Sequence, residues 1–579
     1  MNEPYPEDDY YYEPNAFGMW MRRPGIREVF ESIILAVMVS MMFRFFETEA
    51  YIIPTGSMAP DLQGRHVDVV CPMCDFSYRA GDNASRPSPI TKCVCPICQF
   101  VQPLNRSQSK HQTFAGDRIL VNKYAYDFAE PQRWDVIVFK YPNNGKQNFI
   151  KRLIGLPNEA ILVERGDIYT YAPAQEDFAN RKIARKPPDK LAAMLHVVDD
   201  TNHIPDVLVD LEWPSRWQAW NQTDSKWQVG DFLSQFELTA SDETSWLRYR
   251  HLQPQKNDWE TFINPDGRLP PHLSQRIEGQ LITDYLTYND TPMLVRNSSA
   301  PDALEVEVFQ ESTGVHWVGD LAVSAEIETK SDQGMLALEV VEGGVRFRCS
   351  IDVATGEGYF TSFSRLEEAG IQLGESKFQA PTMSPGKYKL KFANADDQLY
   401  FWIDDQFIAK CPYQRTSKVL PFWESSEFPG DAEPVGIAGK NISMTVNRLQ
   451  VLRDVYYTSK NQTVEQNTNS NGAIEYIQYG SLRKVRAVLR DPRLWASQYG
   501  QSLFQSQDRN QAWAFHLGEN QYFPMGDNSP ISDDARTWEG ARYIDRSYLL
   551  GKAMFVYWPH PKTSPLPIWP NFERMRFIR

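Results

Sequence analysis

The chain of 579 residues carries 60 Lys and Arg against 74 Asp and Glu, a formal net charge of -14, with 42% apolar and 13% aromatic residues. That length exceeds what one hydrophobic core supports and points to about two to four domains, and the composition is that of globular protein. The acidic balance argues against a surface built to neutralise phosphates, so no nucleic-acid partner is expected.

Residues 1–28, with the acidic, Tyr-rich "PEDDYYYEP" followed by Arg22, Arg23 and Arg27, read as a tail. Residues 29–46, "VFESIILAVMVSMMFRFF", are apolar except for Glu31, Ser32, Ser40 and Arg44. The run is slightly short of the roughly 20 residues that span a bilayer, so Glu31 and Arg44 would snorkel; a buried soluble helix is the alternative. The basic residues before it and the acidic Glu47 and Glu49 after it place the N-terminus in the cytoplasm and the rest outside. A tail of this length disfavours a cleaved leader, and the run is expected to be a retained single-pass anchor in the inner membrane.

Five of the seven cysteines lie within residues 71–98. Cys71 with Cys74 and Cys95 with Cys98 form two C-x-x-C pairs at the spacing of a four-thiolate zinc ribbon. A structural Zn is the expected ligand; two disulfides are the alternative on the oxidising side of a membrane, and Cys93 is the surplus residue. From residue 114, "DRILVNKY", "DVIVFKY", "NFIKRLIGL" and "AILVERGDIYTY" predict an antiparallel sheet. The polar stretch 171–204 reads as a boundary. Residues 205–455, with strands such as "LAVSAEIET" and "MLALEVVEGGVRFRCSID", predict a separate β-sandwich in which Cys349 and Cys411 are either a disulfide or buried thiols. The segment 456–510 reads as linker and helical connection, its polar stretch 459–472 as the linker proper, and strand texture returns at 511–579. A β unit split into 47–70, 99–187 and 511–579 by two inserts follows.

The chemistry centres on "IIPTGSMAP", residues 52–60, which places a small Ser57 just past the apolar run. A serine hydroxyl needs a base that can be neutral. The nine His are scattered, and none sits beside a recognisable partner. In "NFIKRLIGLP" an extended strand puts Phe149, Lys151 and Leu153 on one face, where an ammonium loses hydration and its pKa falls. Arg152 cannot serve, because guanidinium does not deprotonate. An ordinary snorkelling lysine is the plain alternative.

The blocks "IIPTGSMAP", "GDRILVNKYAYDF", "RWDVIVFKYP", "FIKRLIGLPNE", "YFPMGDNSPISDDAR" and "GKAMFVYWP" occur in this order and resemble the type I signal peptidases, membrane-anchored Ser-Lys endopeptidases that remove signal peptides from exported proteins. The resemblance implies that Ser57 is the nucleophile and Lys151 the general base, with an oxyanion hole made by the Ser57 N–H and Thr55. It makes Ser532 the hydroxyl that orients the lysine and pairs Asp534 with Arg536. Gly526, Asp527 and Asn528 become the turn that reaches the dyad. Taken alone, "GDN" is a common turn, and Asp534 with Arg536 could be a surface pair worth under about 1 kcal/mol. Departures include Trp134 where Gly is usual, Asn158 for Gly, Ser529 after "GDN" where Arg is frequent, and Ala535 for Ser. They leave the dyad intact.

The insert at 205–455 resembles laminin-G or concanavalin-like jelly rolls in texture, which implies a glycan or protein ligand and acidic turns able to hold Ca²⁺; a rigid spacer is the alternative. Trp213, Trp217, Trp220 and Trp227 read as core. The expected whole is mainly β: a membrane serine endopeptidase without catalytic cofactor, carrying a zinc ribbon at 71–98 and a sandwich insert, with signal peptides and membrane lipid as partners. A self-cleaving or regulatory Ser-Lys protease, or a binding protein on a protease scaffold, stays open.

Overall fold

The computed structural model describes residues 24–46, 48–82, 89–105, 107–108, 111–172, 180–220, 225–230, 234–263, 279–296, 305–309, 314–364, 371–415, 419–459, 479–511, 513–559 and 571–579. The expected tail up to residue 23 and, Ser459 apart, the linker at 459–472 lie outside them. The apolar run lies in a helix, Pro24–Phe46, whose Val29, Ile33, Ile34, Leu35, Met38 and Met41 are exposed. Among the described residues no helix is long and apolar enough to cross a membrane.

After the helix the chain enters an eight-stranded antiparallel sheet in the order Thr48–Ile52, Arg118–Asn122, Leu549–Trp558, Val136–Tyr141, Asn144–Gly155, Gln521–Met525, Ile544–Asp545, with Arg576–Phe577 beside Leu549–Trp558. The last hundred residues therefore supply inner strands. Leu549–Trp558 lies between two early strands, and Met525 faces Arg152 across the next ladder. The alternation in Arg118–Asn122, with Ile119 and Val121 buried, turns one face into the core. A four-stranded sheet of Lys182–Ile183, Asp167–Tyr171, Ala160–Glu164 and Trp513–His516 packs on it through Ile161, Val163, Leu153, Phe515 and Phe523.

The large insert forms two antiparallel sheets of nine and seven strands around one core that includes Val323, Leu338, Phe347, Phe392, Phe401 and Val451. Three of its hairpins close on two-residue loops, Gly343–Gly344, Asp396–Asp397 and Asp404–Asp405, each with both residues at positive φ. Such loops match the twist of the flanking strands, and Gly and Asp tolerate the left-handed conformation. Cys349 and Cys411 are buried free thiols. Trp217 and Trp227 are core, whereas half-buried Trp220 lies under the Arg248 and Arg346 guanidinia and half-buried Trp213 packs toward the cysteine-rich unit.

The stretch 171–204 reads as a boundary by polarity, yet its described part is ordered structure: the helix Pro188–Met194 and the strand His196–Asp200, which joins the nine-stranded sheet beside Met444–Arg453. Its polar residues are satisfied in the interior. Lys186, 2% exposed, bridges Asp396 and Asp454 at 2.7 Å each and lies 4.8 Å from the Trp134 ring. Burial opposes the Lys186 charge, but the two carboxylates hold its pKa well above the ordinary value. This bridge fastens the segment that follows the four-stranded sheet to the sandwich. Lys186→Ala would leave two buried carboxylates without their cation, so a loss of about 3–5 kcal/mol is expected, read as a lower urea midpoint of unfolding.

Candidate active site

Ser57 sits in a single tight turn, Gly56–Met58, immediately after the extended Thr55. Lys151 comes from the central strand Asn144–Gly155, which is exposed at its start and buried from Lys151 to Gly155. The two side chains meet: Lys151 Nζ donates to Ser57 Oγ at 2.6 Å, with only 4% and 8% of the two residues exposed. When the amine is neutral, the same contact can run the other way, with the hydroxyl donating to the nitrogen lone pair. Burial is the largest influence on Lys151 and lowers its pKa to about 8, against the opposing pull of Asp534 and Asp533. The Phe149 ring, 5.4 Å from Nζ, contributes an apolar wall. Thr55 Oγ1 lies 3.5 Å from Ser57 Oγ.

The turn 526–528 closes over the serine. The Asn528 N–H donates to the Ser57 carbonyl at 3.0 Å, and its Nδ2 donates to the Gly56 carbonyl at 2.9 Å. Gly526 is needed for this approach, because a Cβ there would collide with Ser532 Oγ and the Ser57 carbonyl. Ser532 is fully buried at that point. Asp534 and Arg536 are not a surface pair: both are buried, joined through two oxygens at 2.8 and 2.7 Å, and Asp534 also accepts from the Gly526 N–H at 2.9 Å. Burial works against its charge, yet Arg536 holds the Asp534 carboxyl below the usual range. Ser529, where Arg is frequent in the resembling block, accepts from Arg536 Nη1 at 2.7 Å.

Several site residues escape the sequence reading. Arg152, next to the lysine and pointing to the other side of the strand, forms a forked pair with Asp527 at 2.8 and 2.6 Å, and Tyr457 donates to the same carboxylate at 3.0 Å. Alternation along the strand could have suggested Arg152; nothing in sequence links it to Asp527, 375 positions away. Trp134 and Asn158, both at sites where Gly is usual, adopt φ of +74° and +62°. The positions still demand a left-handed backbone. Trp134 is held there by its indole N–H donating to the Arg185 carbonyl at 3.2 Å and by Lys186.

The cysteine-rich unit is built from two hairpins, His66–Val70 with Ser77–Gly81 and Lys92–Val94 with Val101–Pro103. Its two knuckles repeat one hydrogen-bond pattern: Asp75 N–H to Cys71 O and Cys71 N–H to Phe76 O in the first, Gln99 N–H to Cys95 O and Cys95 N–H to Phe100 O in the second, all at 2.9 Å. Asp75 and Gln99 take φ of +57° and +61°. The buried sulfurs of Cys71, Cys74, Cys95 and Cys98 lie within 4.8 Å of one another, with 3.6 Å between Cys71 and Cys98 and between Cys74 and Cys95. Those separations are too long for disulfides, which need about 2.05 Å, and close to the roughly 3.8 Å edge of a tetrahedron with metal–sulfur bonds near 2.3 Å. The four thiols can therefore hold a metal ion. Cys93 stands outside the set, 3.2 Å from the Tyr78 hydroxyl.

Residues 92–207 and 435–558 match the family model described as signal peptidase, peptidase S26. The matched ranges include Lys151 and the turn 526–528, while Ser57 lies upstream of them. Signal peptidase I of Pseudomonas fluorescens is 38% identical over 77 residues, 11% of this chain and 24% of that protein. Signal peptidase I of Aquifex aeolicus is 52% identical over 46 residues, 8% and 18%. Probable signal peptidase I-1 of Synechocystis is 26% identical over 161 residues, 26% and 56%. The chain thus spans about a quarter, a fifth and a half of these relatives. Among solved structures, a carbohydrate binding module from Bacillus subtilis aligns with 40% of this chain and 95% of its own at 11% identity and a TM-score of 0.20.

The geometry lets Lys151 accept a proton from Ser57 Oγ only when its amine is neutral. Below pH 8 the lone pair carries a proton; above it the amine can accept one. Labelling of Ser57 by an electrophilic phosphonate probe is expected to rise with pH through a midpoint near 8 and to vanish in Lys151→Met, as read by intact-protein mass spectrometry.

Proposed function

We propose, from its similarity to the type I signal peptidases, that this chain is a membrane-bound serine endopeptidase that removes signal peptides from exported proteins. The observation that carries the reading is the 2.6 Å contact between a buried lysine and a serine 94 positions apart, with the turn 526–528 bonded to the serine's own backbone. Neutral Lys151 takes the Ser57 proton as Oγ attacks the scissile carbonyl, and the oxyanion rests on the Ser57 N–H and the Thr55 hydroxyl. The protonated lysine then gives its proton to the leaving amine. Water attacks the acyl-enzyme with Lys151 again as base and frees the new carboxylate. Ser532 keeps the amine on Ser57, and Asp534 with Arg536 holds the strand-to-turn segment from below. The catalytic unit in this reading comprises 47–70, 99–187 and 511–579.

The anchor is part of the same proposal. Helix Pro24–Phe46 rises about 34 Å at 1.5 Å per residue, and its described apolar side chains face outward. It leads directly into the strand Thr48–Ile52 that delivers Ser57, which would hold the site at the membrane surface where an exported segment emerges, with the helix N-terminus on the cytoplasmic side. By the family's chemistry the substrate is an extended segment with small side chains at the first and third positions before the cut. The four-cysteine site is assigned to a structural Zn²⁺, and the sandwich to a scaffold role with room for a glycan or protein ligand.

Ser57→Ala and Lys151→Ala are expected to lower processing of a preprotein in detergent about a thousandfold or more; full processing by either overturns the dyad. Thr55→Val should cost about a hundredfold to a thousandfold in kcat, whereas Thr55→Ser retains a donor. Metal analysis should return about one zinc per chain, and Cys71→Ser with Cys98→Ser should abolish it; a metal-free protein with the four cysteines oxidised overturns that assignment.

A further inference from the structure

A loop of the large insert, residues 284–291, leaves the sandwich and reaches the nucleophile turn. Its base is fixed on the sandwich side, where the Asp284 N–H donates to the His316 carbonyl at 3.0 Å and Asp284 Oδ1 accepts from the N–H groups of Val315 and His316. Farther along, Asp290 accepts from the Tyr285 hydroxyl at 2.8 Å and pairs with Lys256 at 2.6 Å, while the Thr287 hydroxyl donates to the Val94 carbonyl of the cysteine-rich unit. At the tip, Tyr288 donates to the Arg65 carbonyl at 2.8 Å and lays its ring on the backbone of Gly56 and Gly81, where any Cβ would collide with it.

Asn289 makes the decisive contact. Its Nδ2 donates to Asn528 Oδ1 at 2.7 Å, and Asn528 Nδ2 donates back to Asn289 Oδ1 at 2.8 Å. Both residues are buried, Asn528 completely. Asn528 in turn holds the carbonyls on either side of the Ser57 nitrogen and carbon, that of Gly56 through its side chain and that of Ser57 through its backbone. A side-chain amide can turn over by rotation about its last bond, which would present its carbonyl to the Gly56 carbonyl. The reciprocal pair ties the two amides together, so that Asn528 cannot turn over alone, and the Gly56 carbonyl selects the orientation with the amino group toward it.

We propose that Asn289 of the insert is a positioning residue for the dyad: it locks the Asn528 amide and so holds the Ser57 turn at hydrogen-bond distance from Lys151. The inference rests on the dyad reading above and extends it, because it makes the large insert part of the hydrolytic machinery. A contact of 2.6 Å between nucleophile and base is sensitive to small shifts of the turn, and a misplacement of about 1 Å can cost about a hundredfold.

The test uses the full chain in detergent with two readouts, preprotein cleavage and phosphonate labelling of Ser57, each normalised to folded protein by near-ultraviolet circular dichroism. Asn289→Ala is expected to lower kcat and the labelling rate together by about tenfold or more while KM stays within twofold. Asn289→Asp, which keeps the size but sets a carboxylate against Asn528 Oδ1, should lose at least as much. In an Asn528→Ala background Asn289→Ala should add little, since one residue acts through the other. Unchanged kcat and labelling in both Asn289 variants would overturn the proposal, as would a loss of equal size with and without Asn528. Wild-type protein that labels at Ser57 yet cleaves no preprotein would instead refute the substrate reading and leave the labelling comparison to decide the role of Asn289.

Discussion

An ammonium group deprived of water gives up its proton more easily, and the arrangement around Ser57 exploits that for Lys151. The lysine lies buried on a central strand, with the Phe149 ring 5.4 Å from its nitrogen and its amine on the Ser57 hydroxyl. In the proposed mechanism a general base near neutral pH has to be made from a group whose ordinary pKa is about 10.4, and burial is the largest influence that lowers it. The same burial makes the neighbouring charges expensive, so each is compensated locally. Arg152 is forked onto Asp527, and Arg536 onto Asp534. These pairs brace the turn that carries Asn528 and leave Lys151 as the buried cation without a carboxylate at ion-pair distance among those described around the site.

The price of this compactness is that the site draws on segments from every part of the chain. Ser57 arrives with an early turn, Lys151 with a middle strand and the bracing turn after position 520. More than three hundred residues intervene between 187 and 511, and their free movement would set the two halves adrift. The structure answers with anchored contacts instead of a passive linker: Lys186 between Asp396 and Asp454, Tyr457 on Asp527, Trp134 under Lys186, and the loop 284–291 on Gly56 and Asn528. The cysteine-rich unit is held into the same assembly by Trp259 on the Cys98 carbonyl and Gln253 on the Pro96 carbonyl. An insert that could have been a spacer is packed against the Ser57 turn.

Much of this was legible along the chain wherever local pattern dictates structure. Strands such as Leu321–Thr329 and Val136–Tyr141 follow from β-branched runs between turn residues, and the acidic and glycine turns mark the hairpins they close. The knuckle spacing predicted four thiols converging, and block order singled out Ser57 and Lys151. Polarity misled over 171–204, where Lys186 is an interior residue and Arg185 a half-buried one, each held by partners two hundred positions away. Asp534 and Arg536, a possible surface pair by pattern alone and a structural pair by resemblance, are buried and joined.

The sequence by itself determined the candidate groups, a serine in a Gly-Ser-Met turn and a lysine between apolar neighbours on a strand, because side-chain chemistry and periodicity are properties of short segments. It also determined the thiol set, because two C-x-x-C knuckles are local turns. Only the tertiary structure decided that the lysine is buried against the serine with its pKa lowered, that Asp527 belongs to Arg152, and that Asn289 meets Asn528. Desolvation and buried pairing depend on which surfaces are brought together across hundreds of residues, and that information is absent from any one stretch of chain.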